Sequence, residues 1–191
     1  MHKQKEIIEW AKKRNLINRD NVYAQKLKLY EEVGELASAI LKKDILKQKD
    51  SIGDIYIVLI ILAEQLEIDI HWDDFHINKN RNIYIVNTNN FALDCIENII
   101  LSSSFDIKIF DLFKLSLALG HDFNECIDIA YNQIKNRKGE TINGTFIKNE
   151  ETELERLYNW LNDENREPPQ TKFTAGILRN VASKIHQLLK K

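Results

Sequence analysis

The stretch VYAQKLKLYEEVGELASAILKKDILKQKDSIGDIYIVLIILA, residues 22–63, decides the fold. In its first half Val22, Leu29, Val33, Leu36 and Ile40 recur at helical spacing, and Tyr30, Ala37 and Leu41 widen the stripe. That period predicts an amphipathic helix from about Val22 to Lys43. Asp44 is suited to cap a following helix, expected from about Ile45 to Glu67. Between Ile55 and Leu62 this second helix has no polar side, which marks a buried central element. The nine-residue apolar run Ile55–Ala63 is about half of a membrane span. A different reading starts the helix at Ser51, because Ser51-Ile-Gly-Asp54 fits a capping box. Against it, Ile45, Leu46, Ile52, Ile55 and Leu59 keep helical spacing straight through Ser51.

Working outward, residues 3–14 read as a helix with Ile7, Ile8, Trp10 and Ala11 on one face. Helical patterning also covers Phe91–Leu101, Ile107–Leu119 and Phe123 to about Asn136, with Gly120 as a stop and Asp122 as a cap. Residues 70–90 are irregular. A short strand at Ile83–Val86 would lack a partner, so the segment is read as loop. KNRKGETINGTF, residues 135–146, reads as a basic loop punctuated by glycine. After Lys148 the composition shifts. Residues 150–167 carry seven acids against two arginines, Pro168-Pro169 break the chain, and residues 171–191 carry five bases and no acid. This suggests a C-terminal helical appendage over 149–191.

Six glycines and two prolines are few for 191 residues, where average usage gives roughly 13 and roughly 10. Sheets need turns, and turns draw on these residues, so an all-α bundle is expected. Glycine-rich phosphate loops are absent; Gly139 and Gly144 have P-loop spacing, but Thr145-Phe146 follow instead of Lys-Ser/Thr. Basic residues number 27 and acidic residues 29, for a net charge of −2. That balance argues against a nucleic-acid or membrane-surface partner. Two cysteines, Cys95 and Cys126, fit a reducing cytoplasm, and MHKQKEIIEW has no apolar secretory core.

The chemistry lies in the same opening stretch. Glu32 and Glu35 are one helical turn apart, and Glu31 sits beside Glu32. On its own such a pair is also what a solvated acidic edge looks like. Asp54 begins the most apolar segment, where an unpaired carboxylate is costly, and Asp50 lies one turn earlier. An antiparallel hairpin of the two helices brings these carboxylates face to face. Such an oxygen-rich cluster suits a hard cation, magnesium or alternatively manganese.

Glu32-Val-Gly-Glu35, followed after fifteen residues by Ser51-Ile-Gly-Asp54, resembles the paired acidic motifs of the MazG-like all-α nucleoside triphosphate pyrophosphohydrolases. The likeness is to the compact type found in phages and Gram-positive bacteria. ECIDIAYNQIKNRKGETINGTFIK (125–148) and the opening WAKKRNLI resemble that group as well. The likeness covers about 1–70 and 121–148, with an insertion at about 71–120. It implies an antiparallel helical bundle over 1–148 with extra helices, a homodimer or homotetramer, and hydrolysis of (deoxy)nucleoside triphosphates to monophosphate and pyrophosphate. It also implies Glu32, Glu35 and Asp54 as magnesium ligands. The family's second motif opens with Glu where this chain has Ser51. Asp50 can supply the missing carboxylate from the same helix face.

In that frame Glu31, or one of the ligand carboxylates, accepts the proton of an attacking water. Lys135, Arg137 and Lys138 are placed to clamp phosphates, or to complement a helix C-terminus; Lys28 can serve either way. Trp10 and Tyr30 can stack on a base, although a tryptophan at the position of Trp10 is more often a core or staple residue. Partner burial of the apolar central helix is expected from its length. Two rivals stand beside the hydrolase: a non-catalytic nucleotide sensor on the same fold, motivated by Ser51, and a helical interaction module acting through 150–191.

Overall fold

A computed structural model describes residues 2–70, 89–142 and 144–148. The helices are α1 (Gln4–Lys12), α2 (Val22–Lys42), α3 (Ile45–Gln65), α4 (Asn89–Leu101), α5 (Phe105–Ala118) and α6 (Phe123–Ile134). A single 3-10 turn, Arg19–Asn21, leads into α2. Two short strands follow, β1 (Gly139–Ile142) and β2 (Thr145–Lys148). These elements belong to the unit Met1–Lys148. The expected loop segment Ile83–Val86, the aromatic–histidine stretch around Trp72 and the C-terminal appendage lie outside the described residues.

The architecture is predominantly helical, built around α3. Asp44 caps α3 by accepting a hydrogen bond from the Lys47 amide at 3.0 Å. The helix therefore runs unbroken through Ser51, and the capping-box alternative at Ser51 is overturned. Asp54 is a mid-helix residue. From Ile55 to Ala63 every side chain is at most 5% exposed. The chain covers this helix by itself, with α2 and α6 along its length and α1 and α5 completing the shell. No partner subunit is required to bury it, so the expectation that a partner would cover this helix does not hold.

The hairpin α2–α3 is antiparallel, as its cross-links show: Gln48 Nε2 donates to the Ala39 carbonyl at 3.2 Å, and Gln25 Nε2 to that of Val58 at 3.5 Å. On the other side α6 approaches α3 so closely that a Cβ on Gly53 would lie 2.2 Å from the Cys126 carbonyl oxygen and 2.6 Å from Ala130 Cβ. Gly53 is thus a contact point between helices. At the far end α5 stops at Gly120 (φ 78°), where His121 N–H reaches the Ser116 carbonyl and Gly120 N–H that of Leu117. Asp122 then caps α6. Cys95 and Cys126 are buried free thiols, pushed up by burial to about 11 and about 12, and so are inert.

Two expectations change. Tyr30 and Leu41, assigned to the core stripe of α2, are 53% and 85% exposed. The buried row of α2 is narrower than the sequence stripe: Leu29, Val33, Leu36 and Ala39 are buried, with Val22 and Ile40 partly buried against the core. Residues 139–148, read largely as loop, form an antiparallel hairpin pairing Gly139 with Lys148 and Ile142 with Thr145. The signal was present: Asn143-Gly144 is the sequence that favours a two-residue hairpin turn, and Gly144 has φ 79°. Burial alternates along β1. Among the described residues no helix is long and apolar enough to cross a membrane.

Candidate active site

Because α2 and α3 run antiparallel, their acidic residues meet across one seam. Lys28 Nζ lies 2.8 Å from Glu32 Oε1 and 2.9 Å from Glu31 Oε2. Lys47 Nζ lies 2.6 Å from Glu35 Oε2 and 3.2 Å from Asp50 Oδ2. Each lysine therefore bridges two carboxylates, Lys28 along α2 and Lys47 across the hairpin. Asp50 also accepts a hydrogen bond from Gln133 Nε2 of α6 at 2.6 Å. Gln133 in turn accepts one from Arg137 at 3.4 Å.

Glu32 is only 5% exposed, and its Oε2 has no hydrogen-bond partner. Burial raises its pKa above the ordinary carboxylate value, helped by Glu35 and Glu31, and the ion pair with Lys28 only partly offsets this. Asp54 is shifted further, to about 7, by burial first and then by the charges of Glu32 and Asp50; Lys47 and Arg137 pull the other way. Lys47 is held well above its ordinary value by its hydrogen bond to Glu35 and its contacts with Asp50. For Lys28, burial lowers the pKa, but hydrogen bonds to Glu32 and Glu31 outweigh it. A cluster with two raised carboxyl pKa values in a cleft has the electrostatic profile of a functional site.

The cleft itself holds about 560 Å³. Its lining includes Lys28, Glu31, Glu32 and Asp54, Arg137 just past the end of α6, and the apolar side chains of Ile57, Val58 and Phe146 together with Trp10. Trp10 is fixed rather than mobile. Its Nε1 donates to the Ile134 carbonyl at 2.9 Å, its ring meets Phe146 edge-on at 5.7 Å, and Arg14 lies over it at 4.6 Å. Arg14 also donates to the Arg137 carbonyl at 2.6 Å, which anchors the segment carrying Arg137.

Of the residues singled out in the sequence, Trp10, Lys28, Glu31, Glu32, Asp54 and Arg137 line this one cleft. Glu35 and Asp50 lie beside it, joined through Lys47. Lys135 is exposed and bonds to Asn132 Oδ1 at 2.8 Å, away from the cleft lining; Lys138 is exposed too. Ser51 is fully buried, and its Oγ has no partner. Sequence reasoning missed Lys47, Arg14, Gln25, Gln133 and Phe146. Lys47 was detectable, since it precedes Asp50 by one helical turn. Arg14, Gln133 and Phe146 reach the site only through tertiary packing.

A partial relative occurs in Haemophilus phage HP1 (strain HP1c1). Over 65 residues, 34% of this chain, the sequence is 46% identical to an "uncharacterized 18.2 kDa protein in rep-hol intergenic region". The match spans 40% of that relative's length. No family model matches the chain, and no solved structure matches it.

Proposed function

We propose that this chain hydrolyses (deoxy)nucleoside triphosphates to monophosphate and pyrophosphate in a Mg²⁺-dependent reaction. One observation carries the reading: a cleft of about 560 Å³ whose lining joins carboxylates of α2 and α3 (Glu31, Glu32 and Asp54) with Lys28, Arg137 and apolar side chains. The residues suit a divalent ion. Glu32 Oε2 is buried without a partner, and Asp54 is pushed up to about 7 by burial and then by its acidic neighbours. With all five carboxylates ionised, Lys28, Lys47 and Arg137 leave two negative charges, which one divalent cation would balance. Among the described residues no three such side chains stand in a ready-made metal arrangement, and Lys28 and Lys47 occupy their oxygens.

Glu32, Glu35, Asp50 and Asp54 would hold magnesium, or manganese, which supplies positive charge for phosphate oxygens and a more acidic water. Arg137 would bind the phosphates through its guanidinium. Glu31, at the cleft wall and paired only through Lys28, would accept the proton of the attacking water. Trp10 and its apolar neighbours would hold the nucleoside end.

The second reading is a nucleotide-binding protein without turnover. It is favoured by one specific observation: Ser51 replaces an acid at a fully buried position, while Asp50 is engaged by Lys47 and Gln133. The deciding experiment measures pyrophosphate release from a panel of ribo- and deoxynucleoside triphosphates with Mg²⁺ or Mn²⁺. Turnover lost in Glu35→Gln is the expected result. Metal-dependent nucleotide binding without turnover would establish the sensor instead.

A further inference from the structure

In the basic segment 135–138 one side chain turns inward. Lys135, Asn136 and Lys138 are exposed, whereas Arg137 is half-buried and lines the cleft. The sequence offers no reason for the difference. Three cations follow the end of α6 within four residues, and a helix C-terminus favours any of them. The cause lies 123 residues earlier in the chain, at Arg14.

Arg14 lies just past α1 and is half-buried. Its guanidinium acts as a fork: Nη1 donates to the Trp10 carbonyl at 3.3 Å and Nη2 to the Arg137 carbonyl at 2.6 Å. Its Cζ sits 4.6 Å from the centre of the Trp10 ring and 5.6 Å from that of Phe146. Behind it, the Thr141 hydroxyl of β1 donates to the Arg14 carbonyl. The turn that carries Arg137 is held at its start as well, because the Ile134 carbonyl accepts from Trp10 Nε1 and from the Arg137 amide, both at 2.9 Å. These are carbonyls of the kind that a helix end leaves without intrahelical partners. Trp10 and Arg14 thus pin both ends of the turn 134–137. Trp10, Phe146 and Arg137 line the cleft and Arg14 touches all three, while Arg14 itself stands outside the lining.

We propose that Arg14 is a positioning residue: its forked guanidinium fixes the Arg137 backbone, so that the Arg137 side chain is aimed into the cleft before a phosphate arrives. The inference rests on the reading of Arg137 as the phosphate-binding group. A side chain launched from a fixed backbone loses less freedom on binding. A guanidinium–phosphate pair depends on bidentate geometry, and a shift on the order of 1 Å is enough to spoil such an arrangement. Lysine cannot replace Arg14 in this role. It keeps the charge, but its ammonium is a point charge that does not form the planar fork or stack on the two rings. An Arg14 that worked by attracting anions would tolerate lysine; one that works by geometry does not.

The test titrates inorganic pyrophosphate with Mg²⁺ into the full chain by calorimetry, for the wild type, Arg14→Lys, Arg137→Gln and the double variant. Each single variant is expected to weaken binding about tenfold or more. In the Arg137→Gln background Arg14→Lys should cost nothing further, since Arg14 acts through Arg137. Hydrogen exchange reads the positioning directly: in Arg14→Lys the Arg137 amide should exchange faster, while residues 123–130 of α6 keep their protection. Thr141→Val, a milder variant that frees the Arg14 carbonyl from β1, should move both readouts the same way, and it decides the matter if Arg14→Lys loses protection throughout. Wild-type affinity in Arg14→Lys, penalties that add, or unchanged exchange at Arg137 would each overturn the inference, as would a wild type that binds no pyrophosphate. Nucleotide turnover is scored separately. The expected binding pattern without turnover would remove the hydrolase and leave the role of Arg14 standing; turnover with an indifferent Arg14→Lys would do the reverse.

Discussion

Asp54→Asn should make the protein more stable, and by an amount that grows with pH. Asp54 has its pKa raised from 3.8 to about 7, chiefly by burial and then by Glu32 and Asp50. The folded state therefore holds a proton that the unfolded chain releases. The stability tied to that proton is fully present below about 3.8 and is lost as pH rises towards about 7. Fully applied, the shift corresponds to about 4 kcal/mol between the acid and alkaline limits. Asp54 is not wholly shielded and its surroundings relax, so about 1–3 kcal/mol is expected at pH 8, and well under half of that near pH 5. Asparagine keeps the shape and never ionises, so the variant lacks this slope. The assay is urea unfolding of both proteins at intervals from pH 5 to pH 8, with chelator present to remove divalent ions. His121 also responds to pH, but it is common to both proteins and cancels in the difference, whereas Glu32 is coupled to Asp54 and its response is part of the same slope. A difference that stays flat across this range, or a variant less stable at pH 8, would refute a buried, charge-crowded Asp54.

Two further perturbations separate the site from the scaffold. Lys47→Gln removes the cation shared by Glu35 and Asp50; because that pair is partly solvated, stability should change by only about 0–1 kcal/mol, while the Mg²⁺-induced rise in melting temperature should grow, as followed by differential scanning fluorimetry. Gly53→Ala puts a Cβ 2.2 Å from the Cys126 carbonyl oxygen, so chemical denaturation should show a loss of about 1–3 kcal/mol or more, despite the roughly 1 kcal/mol that alanine contributes to an unconstrained helix.

Periodicity reached most of the helical framework because the signals were local. Asp44, Gly120 and Asp122 do in the fold what their residue types suggest, and the unrelieved apolar run Ile55–Ala63 is the core. Periodicity failed where the partner was remote. Tyr30 and Leu41 look like core residues on a helical wheel, but which apolar residues an amphipathic helix buries depends on how wide its neighbour is. Here α3 takes one narrow row. The carboxylates of the candidate site were visible as a pattern on two consecutive helices, since a short connection forces the two to pack antiparallel. Their counter-ions were not. Lys47 needed the register of the hairpin, and Arg14 and Gln133 needed contacts across more than 80 residues of sequence.

The position of the acids beside the most apolar run in the chain has a physical logic. Carboxylates that crowd together half-sunk in a helical core oppose folding, through lost hydration and mutual repulsion. The fold meets this cost in three ways. Lys28 and Lys47 each bridge a pair and offset one of its two charges, Asp54 keeps a proton up to about pH 7, and the residues after Asp54 supply dense apolar burial on the same helix. At roughly 1.5–3 kcal/mol for each fully buried large aliphatic side chain, Ile55, Leu59 and Ile60 alone exceed the ceiling set by Asp54. The apolar half of α3 thus permits its acidic half to stay under strain. A divalent ion would relieve that strain by replacing the proton on Asp54 and competing with both lysines. Any ligand that brings such an ion should therefore bind more tightly as the pH rises through 7.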